Sequence, residues 1–390
     1  MHAVIFVAGV ACLFFVLLDA FQTVILPRRA TGRFRITKVF YVLTWRPWKA
    51  ITQRLCTVRT RETAFSFFGP LSLVFLIVVW AATLMLGFAL LYNALGSPFN
   101  DSLGRASDFS TDLYFSGTTL ITLGLGDVLP HVGWVRGLTI LEAGMGLGFV
   151  AVVIGYFPVL YGAFSKREVS ISLLDARAGS PPTALELLRR HSFEGGNDAL
   201  ITLLEEWERW SAELLESHIS YPLLCYFRSQ HTNQSWLSAL VAMLDACALL
   251  IAGVQGHPAR QAQLTFAMAR HALVDLSQVF GLLPKPPPKD RLSPEQFDRL
   301  YGELCRSNIN VCGDANSRER LLSMRALYEG HAETLSDYLC MPLPPWVALQ
   351  PHKDNWQTVA RLRAQAEATA VEQTKHAHSL AGFEDSNHEF

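Results

Sequence analysis

Two apolar runs long enough to cross a bilayer, residues 67–91 and 134–164, flank a stretch too short to cross one. That stretch is Tyr114-Phe115-Ser116-Gly117-Thr118-Thr119-Leu120-Ile121-Thr122-Leu123-Gly124-Leu125-Gly126-Asp127. A helix needs about 20 apolar residues to span the hydrocarbon core. Backbone amides left unpaired in lipid are costly. Non-helical chain at that depth must therefore be buried in protein or line a water-filled path. The spacing predicts a re-entrant loop: a short helix over 110–120, capped by Ser110 or a nearby Asp, followed by an extended segment. Gly124 and Gly126 alternate with Leu123 and Leu125, and glycine admits the positive φ that lets carbonyls of an L-chain face one way. Such carbonyls can replace the water shell of a cation. Thr122 adds a hydroxyl at the inner entrance, and Asp127 stands at the outer mouth, where it can tether the loop or attract cations. One chain supplies one loop, so a closed ring needs about four copies.

A third apolar run, Val4 to Leu26, reaches roughly 34 Å as a helix. It lacks the basic start and small-residue cleavage site of a signal peptide, so it is expected to be a retained span. Asp19 lies inside it. It is either an acid near the helix end that reaches the interface or pairs with a basic group, or a functional group facing protein or water. Residues 28–62 carry ten basic side chains and one acid, Glu62, interleaved with Trp45, Trp48 and other apolar residues. This reads as an interfacial amphipathic helix on the cytoplasmic side. The connector 93–135 is acidic and fits the outer side, and Lys166-Arg167 stops the last span on the inside. The expected topology is an outer N-terminus, three spans and a cytoplasmic C-terminal half.

The chain of 390 residues is 50% hydrophobic and 17% charged, with a net charge of −1, which leaves no overall basic footprint for nucleic acid. After Arg167 the hydropathy falls. Val169 to Leu174 alternates and reads as a strand-like linker. Helices are expected over 183–190, 198–217, 236–254, 260–283, from Ser293, 317–339 and 355–376, with a disordered tail from 379. Trp236 to Val254 is apolar but holds Asp245, and is expected to be a buried helix rather than a fourth span. No Rossmann glycine pattern, Walker A or HExxH occurs, and no Cys/His cluster has zinc spacing, so neither an enzyme nor a cofactor is expected. The scattered histidines, among them His191, His218 and His331, are expected to be surface or hydrogen-bonded groups. No periodic arginine helix precedes the loop, which argues against a voltage sensor.

Residues 113–127 resemble the pore helix and filter of the tetrameric potassium channels. That family's filter reads Thr-Val-Gly-Tyr-Gly-Asp where this chain reads Thr122-Leu123-Gly124-Leu125-Gly126-Asp127. The resemblance extends over the flanking spans, about Phe67 to Arg167. It implies K⁺ sites at Thr122, Leu123, Gly124 and Leu125 and an inner helix in the last span. Gly146 falls at the gating hinge; close packing of small residues is the alternative reading for it. Leu147, Val150, Ile154 and Pro158 share a helical face and are expected to line the cavity. Thr118 occupies the position where several bacterial members place a Glu that pairs with the outer Asp. Asp127 is therefore expected to find Trp134 or Arg136 instead. Glu142 is expected either to support the filter from behind or to pair with an arginine. Leu125 replaces the usual Tyr or Phe, as in some second filters of two-pore-domain channels, and bears on K⁺ over Na⁺ selectivity.

The expected fold is an all-α membrane protein. Its parts are a first span (1–27), a basic segment (28–65), a pore domain (66–168), a helical cytoplasmic domain (169–378) and a tail (379–390). The expected function is K⁺ conduction by a homotetramer in the lipid bilayer. A weakly selective cation channel and a non-conducting receptor or adaptor are the alternatives.

Overall fold

The computed structural model describes residues 1–26, 36–101, 107–230, 233–254, 258–287, 290–307, 309–311 and 315–347. Arg28, Arg29, Arg33 and Arg35 of the basic segment, the helix expected over 355–376 and the tail lie outside them. The protein is an all-α membrane protein. Among the described residues, three helices are long and apolar enough to cross a membrane: His2–Ile25, Thr60–Ala94 and Gly133–Ala178.

Helix α1 (His2–Ala20) ends in a π-helical turn, Phe21–Ile25. It lies along α3 (Val58–Ala94), and the two backbones close at Gly9 and Gly87. A Cβ at Gly9 would stand 2.9 Å from the Gly87 carbonyl oxygen. Small residues let apolar helices approach this closely where no hydrophobic force drives them together. Between them in sequence runs α2 (Ile36–Leu55). Asp19, at the end of α1, accepts from the Thr37 backbone N–H (3.1 Å), the Thr37 hydroxyl (2.6 Å) and Trp80 Nε1 of α3 (2.9 Å). Asp19 thus caps the first turn of α2 across 18 residues, where the helix dipole favours a carboxylate.

After α3 comes a small unit closed at its base. Strands β1 (Phe99–Asp101) and β2 (Val128–Pro130) pair antiparallel, with Asn100 opposite Leu129. Between them stands α4 (Phe109–Leu120). Asp108 caps α4 through a reciprocal box with Thr111. Its twelve residues reach about 18 Å, too short to span. Tyr92, Phe99 and Phe115 pack edge-on or tilted at 4.3–5.5 Å and fix α4 against α3. At its far end Leu120 is buried with Val16, Leu76, Trp80 and Leu84, so α4 ends deep among the three long helices.

Helix α5 (Gly133–Ala178) is unbroken. The expected linker over 169–174 is helical, which corrects the strand-like reading. Ile171 and Leu174, three apart, are buried while Val169 and Leu173 are exposed, so a helical face runs through the alternating pattern.

The remaining helices form a body around α8 (Trp236–Ala252). These are α6 (Ala184–Arg190), α7 (Gly196–Ser220), α9 (Ala259–Val279), α10 (Pro294–Arg306), α11 (Ala315–Ala326) and α12 (Glu329–Leu339). A 3₁₀ turn, Pro222–Tyr226, follows α7. Apart from Ile251, every residue of α8 is buried, as expected for a core helix. Residues 317–339, expected as one helix, split into α11 and α12 around Leu327-Tyr328, and Tyr328 turns inward to donate to Asp245.

Among the junctions that bind this body to the helices before it, two are built on buried or helix-end hydrogen bonds. Arg167 of α5 is buried. It donates to the carbonyls of Leu224 (2.9 Å) and Phe227 (2.9 Å) and pairs with Glu168. At the second junction α2 captures the end of α12, whose last carbonyls lack helical partners. Trp45 Nε1 donates to the Tyr338 carbonyl (3.0 Å), Lys49 to that of Asp337, and Arg228 to those of Leu339 and Cys340. The expected interfacial helix therefore has one side seated in protein.

Candidate functional site

The loop after α4 is tied to it by its own amides. The N–H groups of Leu123 (2.8 Å) and Gly124 (3.3 Å) both donate to the Thr118 carbonyl. The Thr118 hydroxyl donates locally, to the Phe115 carbonyl at 3.0 Å. Thr118 thus holds the loop with its backbone, not its side chain. From there the backbone handedness alternates. φ is positive at Thr122 (58°), Gly124 (54°) and Gly126 (78°), and not at Leu123 or Leu125. Two of the three left-handed positions are glycine, which adopts them freely. Thr122 is β-branched, and a left-handed conformation there costs of order 1–3 kcal/mol, maintained only because the surrounding structure imposes it. Leu123 and Leu125 are exposed on this single chain.

Asp127 accepts from the Tyr114 hydroxyl at 2.8 Å. The partners expected for it were Trp134 or Arg136; Arg136 instead donates to the Pro130 carbonyl at 3.2 Å. Tyr114 was missed because it stands thirteen residues earlier, on α4, and only the folding back of the loop brings the two together.

Glu142 is wholly buried in α5. Tyr92 of α3 donates to its Oε2 at 2.7 Å, and Ser116 of α4 meets its Oε1. The carboxyl therefore joins the three elements that surround the loop, and its partners are hydroxyls rather than the arginine considered from the sequence. Neither Tyr92 nor Ser116 carried a sequence signal for this role.

Gly146 packs against the end of α4. A Cβ there would lie 1.9 Å from the Leu120 carbonyl oxygen. α5 runs helical through Gly146 and through Pro158. Leu147, Val150 and Ile154 are exposed on one face, with Pro158 beside them. Among the described residues, no cluster of three or more His, Cys, Asp or Glu side chains could hold a metal ion.

A protein-family profile described as "Ion channel" matches residues 73–160, from within α3 through the loop into α5. The apolar helices, the short α4 between them and the loop at its end define a membrane protein with an ion channel domain. Residues 73–160 are thus an ion channel domain of that family. It is 37% identical over 111 residues to Protein LctB of Bacillus caldotenax, covering 26% of this chain and 78% of that protein. With Protein LctB of Geobacillus stearothermophilus it shares 37% over 90 residues, covering 21% and 66%. With the uncharacterized membrane protein YdjJ of Bacillus subtilis (strain 168) it shares 24% over 191 residues, covering 48% and 55%. The chain spans about half the length of YdjJ. No solved structure matches it.

Proposed function

We propose that this protein conducts K⁺ passively through a homotetrameric pore whose filter is Thr122 to Asp127. The observation that carries the reading is the alternating backbone handedness of Thr122–Gly126 at the end of a helix too short to span. A row of carbonyls facing one way offers a cation the oxygens it loses on leaving water. The carboxylate of Asp127 adds a negative charge at one end. Four copies close the ring, with α5 innermost and the apolar face of Leu147, Val150, Ile154 and Pro158 toward the axis, where a narrow apolar passage closes by dewetting. The charge asymmetry of the segments supports an N-terminus outside and a helical body in the cytoplasm, with the body assembling or gating the pore.

Leu125 favours a second reading, a weakly selective cation channel. An aliphatic side chain there has no hydroxyl to hydrogen-bond behind the filter. A non-conducting receptor or adaptor on the same fold is the third. Liposomes loaded with K⁺ and carrying the purified full chain test the proposal. Efflux that appears only with the protein, and that Gly124→Ala abolishes, supports conduction through this loop. Silence under every condition that opens related channels overturns it.

A further inference from the structure

The hydrogens around Glu142 do not add up unless the carboxyl carries one. Tyr92 Oη lies 2.7 Å from Glu142 Oε2, Ser116 Oγ contacts Glu142 Oε1, and Ser116 Oγ is also 2.9 Å from the Met85 carbonyl oxygen. Three oxygen–oxygen contacts need three hydrogens, and the two hydroxyls supply one each. Thr139, a turn before Glu142, has its hydroxyl 3.0 Å from the Val135 carbonyl and also meets the Tyr92 hydroxyl, so it supplies neither Glu142 oxygen with a hydrogen. An oxygen pair at hydrogen-bond distance with no hydrogen between them is repulsive. The group able to supply the third hydrogen is the carboxyl itself, which when protonated has one donor and keeps an acceptor.

Burial points the same way. Glu142 is fully enclosed, its partners are neutral hydroxyls, and an ionised carboxylate in such surroundings would stand uncompensated. Asp19 shows the opposite pattern in the same protein. Three donors, the Thr37 amide, the Thr37 hydroxyl and the Trp80 indole, converge on its Oδ2, and the same amide also reaches Oδ1, so every contact has a hydrogen of its own donor.

We infer that Glu142 is held as a neutral carboxylic acid that positions the filter, donating to Ser116 while Ser116 donates to Met85 and Tyr92 donates to its other oxygen. This rests on reading Thr122–Asp127 as a filter. One carboxyl then clasps α3, α4 and α5, and Ser116 lies one turn before Leu120, whose carbonyl rests on Gly146. The depth of α4, and with it the start of the loop, is set by this clasp. Glutamine can reproduce the arrangement, its amide N–H₂ donating to Ser116 and its carbonyl accepting from Tyr92. Leucine cannot.

Difference infrared spectroscopy of the full chain in lipid reads the proton itself. At neutral pH, wild type minus Glu142→Gln is expected to show the carbonyl stretch of a hydrogen-bonded carboxylic acid. Ser116→Ala is expected to shift that band to higher frequency, because the acid loses its acceptor. It serves as the second variant if Glu142→Gln does not assemble. A spectrum without the acid band at neutral pH overturns the proposal. The band is readable whether or not ions pass, so this failure is distinct from a failure of the channel reading. Ion flux reads the positioning role. Glu142→Gln is expected to keep K⁺ flux within about twofold, and Glu142→Leu to lower it by about tenfold or more, as loss of two buried hydrogen bonds implies. Equal loss in the two variants, both assembled, overturns it as well.

Discussion

Gly146 of α5 rests on the carbonyl of Leu120, the last residue of α4. A Cβ at 146 would approach that oxygen to 1.9 Å and its carbon to 2.8 Å. The contact is backbone to backbone, so neither side can yield by rotating a side chain. Gly146→Ala is expected to push α4 off α5 and destabilise the pore region by about 1–3 kcal/mol, as overpacking does. Thermal unfolding of the purified protein measures it. Gly133→Ala, where the added atom meets nothing within 4 Å, should leave the melting temperature near wild type. Equal effects in the two variants would remove the close approach as the reason for glycine at 146.

On the proposed reading of Thr122–Asp127 as a filter, Leu125 is the departure that bears on selectivity, and Leu125→Tyr restores the ring and hydroxyl that the resembling family carries there. If the leucine loosens the filter, the K⁺ to Na⁺ permeability ratio should rise in this variant. An unchanged ratio in an assembled channel would move the determinant of selectivity away from position 125.

Asp245 explains why the apolar α8 stays within the body. Arg291 holds it by a two-pronged pair at 2.9 and 3.0 Å, and Tyr328 donates to it as well. Arg291 and Arg325 lie over the Trp346 ring, at 5.7 and 5.5 Å from its centre. Removing one partner of a buried pair costs up to about 3–5 kcal/mol, of which Glu329, 3.2 Å from Arg291, offsets a part here. Asp245→Asn is expected to lower the melting temperature sharply and expose the body to protease, while Glu303→Gln, in a surface pair with Arg306, should do neither.

His218 makes the body sensitive to acid. Its Nδ1 lies 2.9 Å from the Leu214 carbonyl, so the N–H belongs there and Nε2 accepts from Arg167 at 3.1 Å. Burial first, then the Arg167 guanidinium, holds its pKa well below the usual imidazole range. The unfolded chain protonates this residue near pH ~6.5 and the folded one only at lower pH, so between those values the unfolded state binds more protons. The stabilisation is complete above about pH 6.5 and is lost as pH falls. Glu168 pairs with the same guanidinium, and burial moves His191 and His331 in the same direction, so the comparison must be against a variant. Melting curves at pH 7.5 and 5.5 should show a smaller drop for His218→Gln than for wild type. An equal drop would place the sensitivity elsewhere.

The spans, the short helix and the loop were legible in the sequence because each has a local cause. Twenty apolar residues, a capping Asp108 and alternating glycines act within a few positions. What escaped is long-range. Asp19 meets Thr37 and Trp80, and Glu142 meets Tyr92 and Ser116, only after three helices pack, while Tyr114 meets Asp127 only once the loop folds back. The strand-like reading of 169–174 failed for another reason. Six residues are too few to separate a period of 2 from 3.6, and the helix arriving from Arg167 decided it. The seating of α12 on Trp45 and Lys49 was hidden because basic and aromatic residues at a membrane surface look alike whether they face lipid or a helix end.

The central claim, a K⁺-preferring pore built on Thr122–Asp127, is tested most directly by the reversal potential of the purified full chain in a planar bilayer. K⁺ bathes one side and Na⁺ the other at equal concentration. The account predicts current that reverses well away from zero, in the direction set by K⁺ leaving its own side. Reversal at zero, with K⁺ and Na⁺ passing alike, would contradict it.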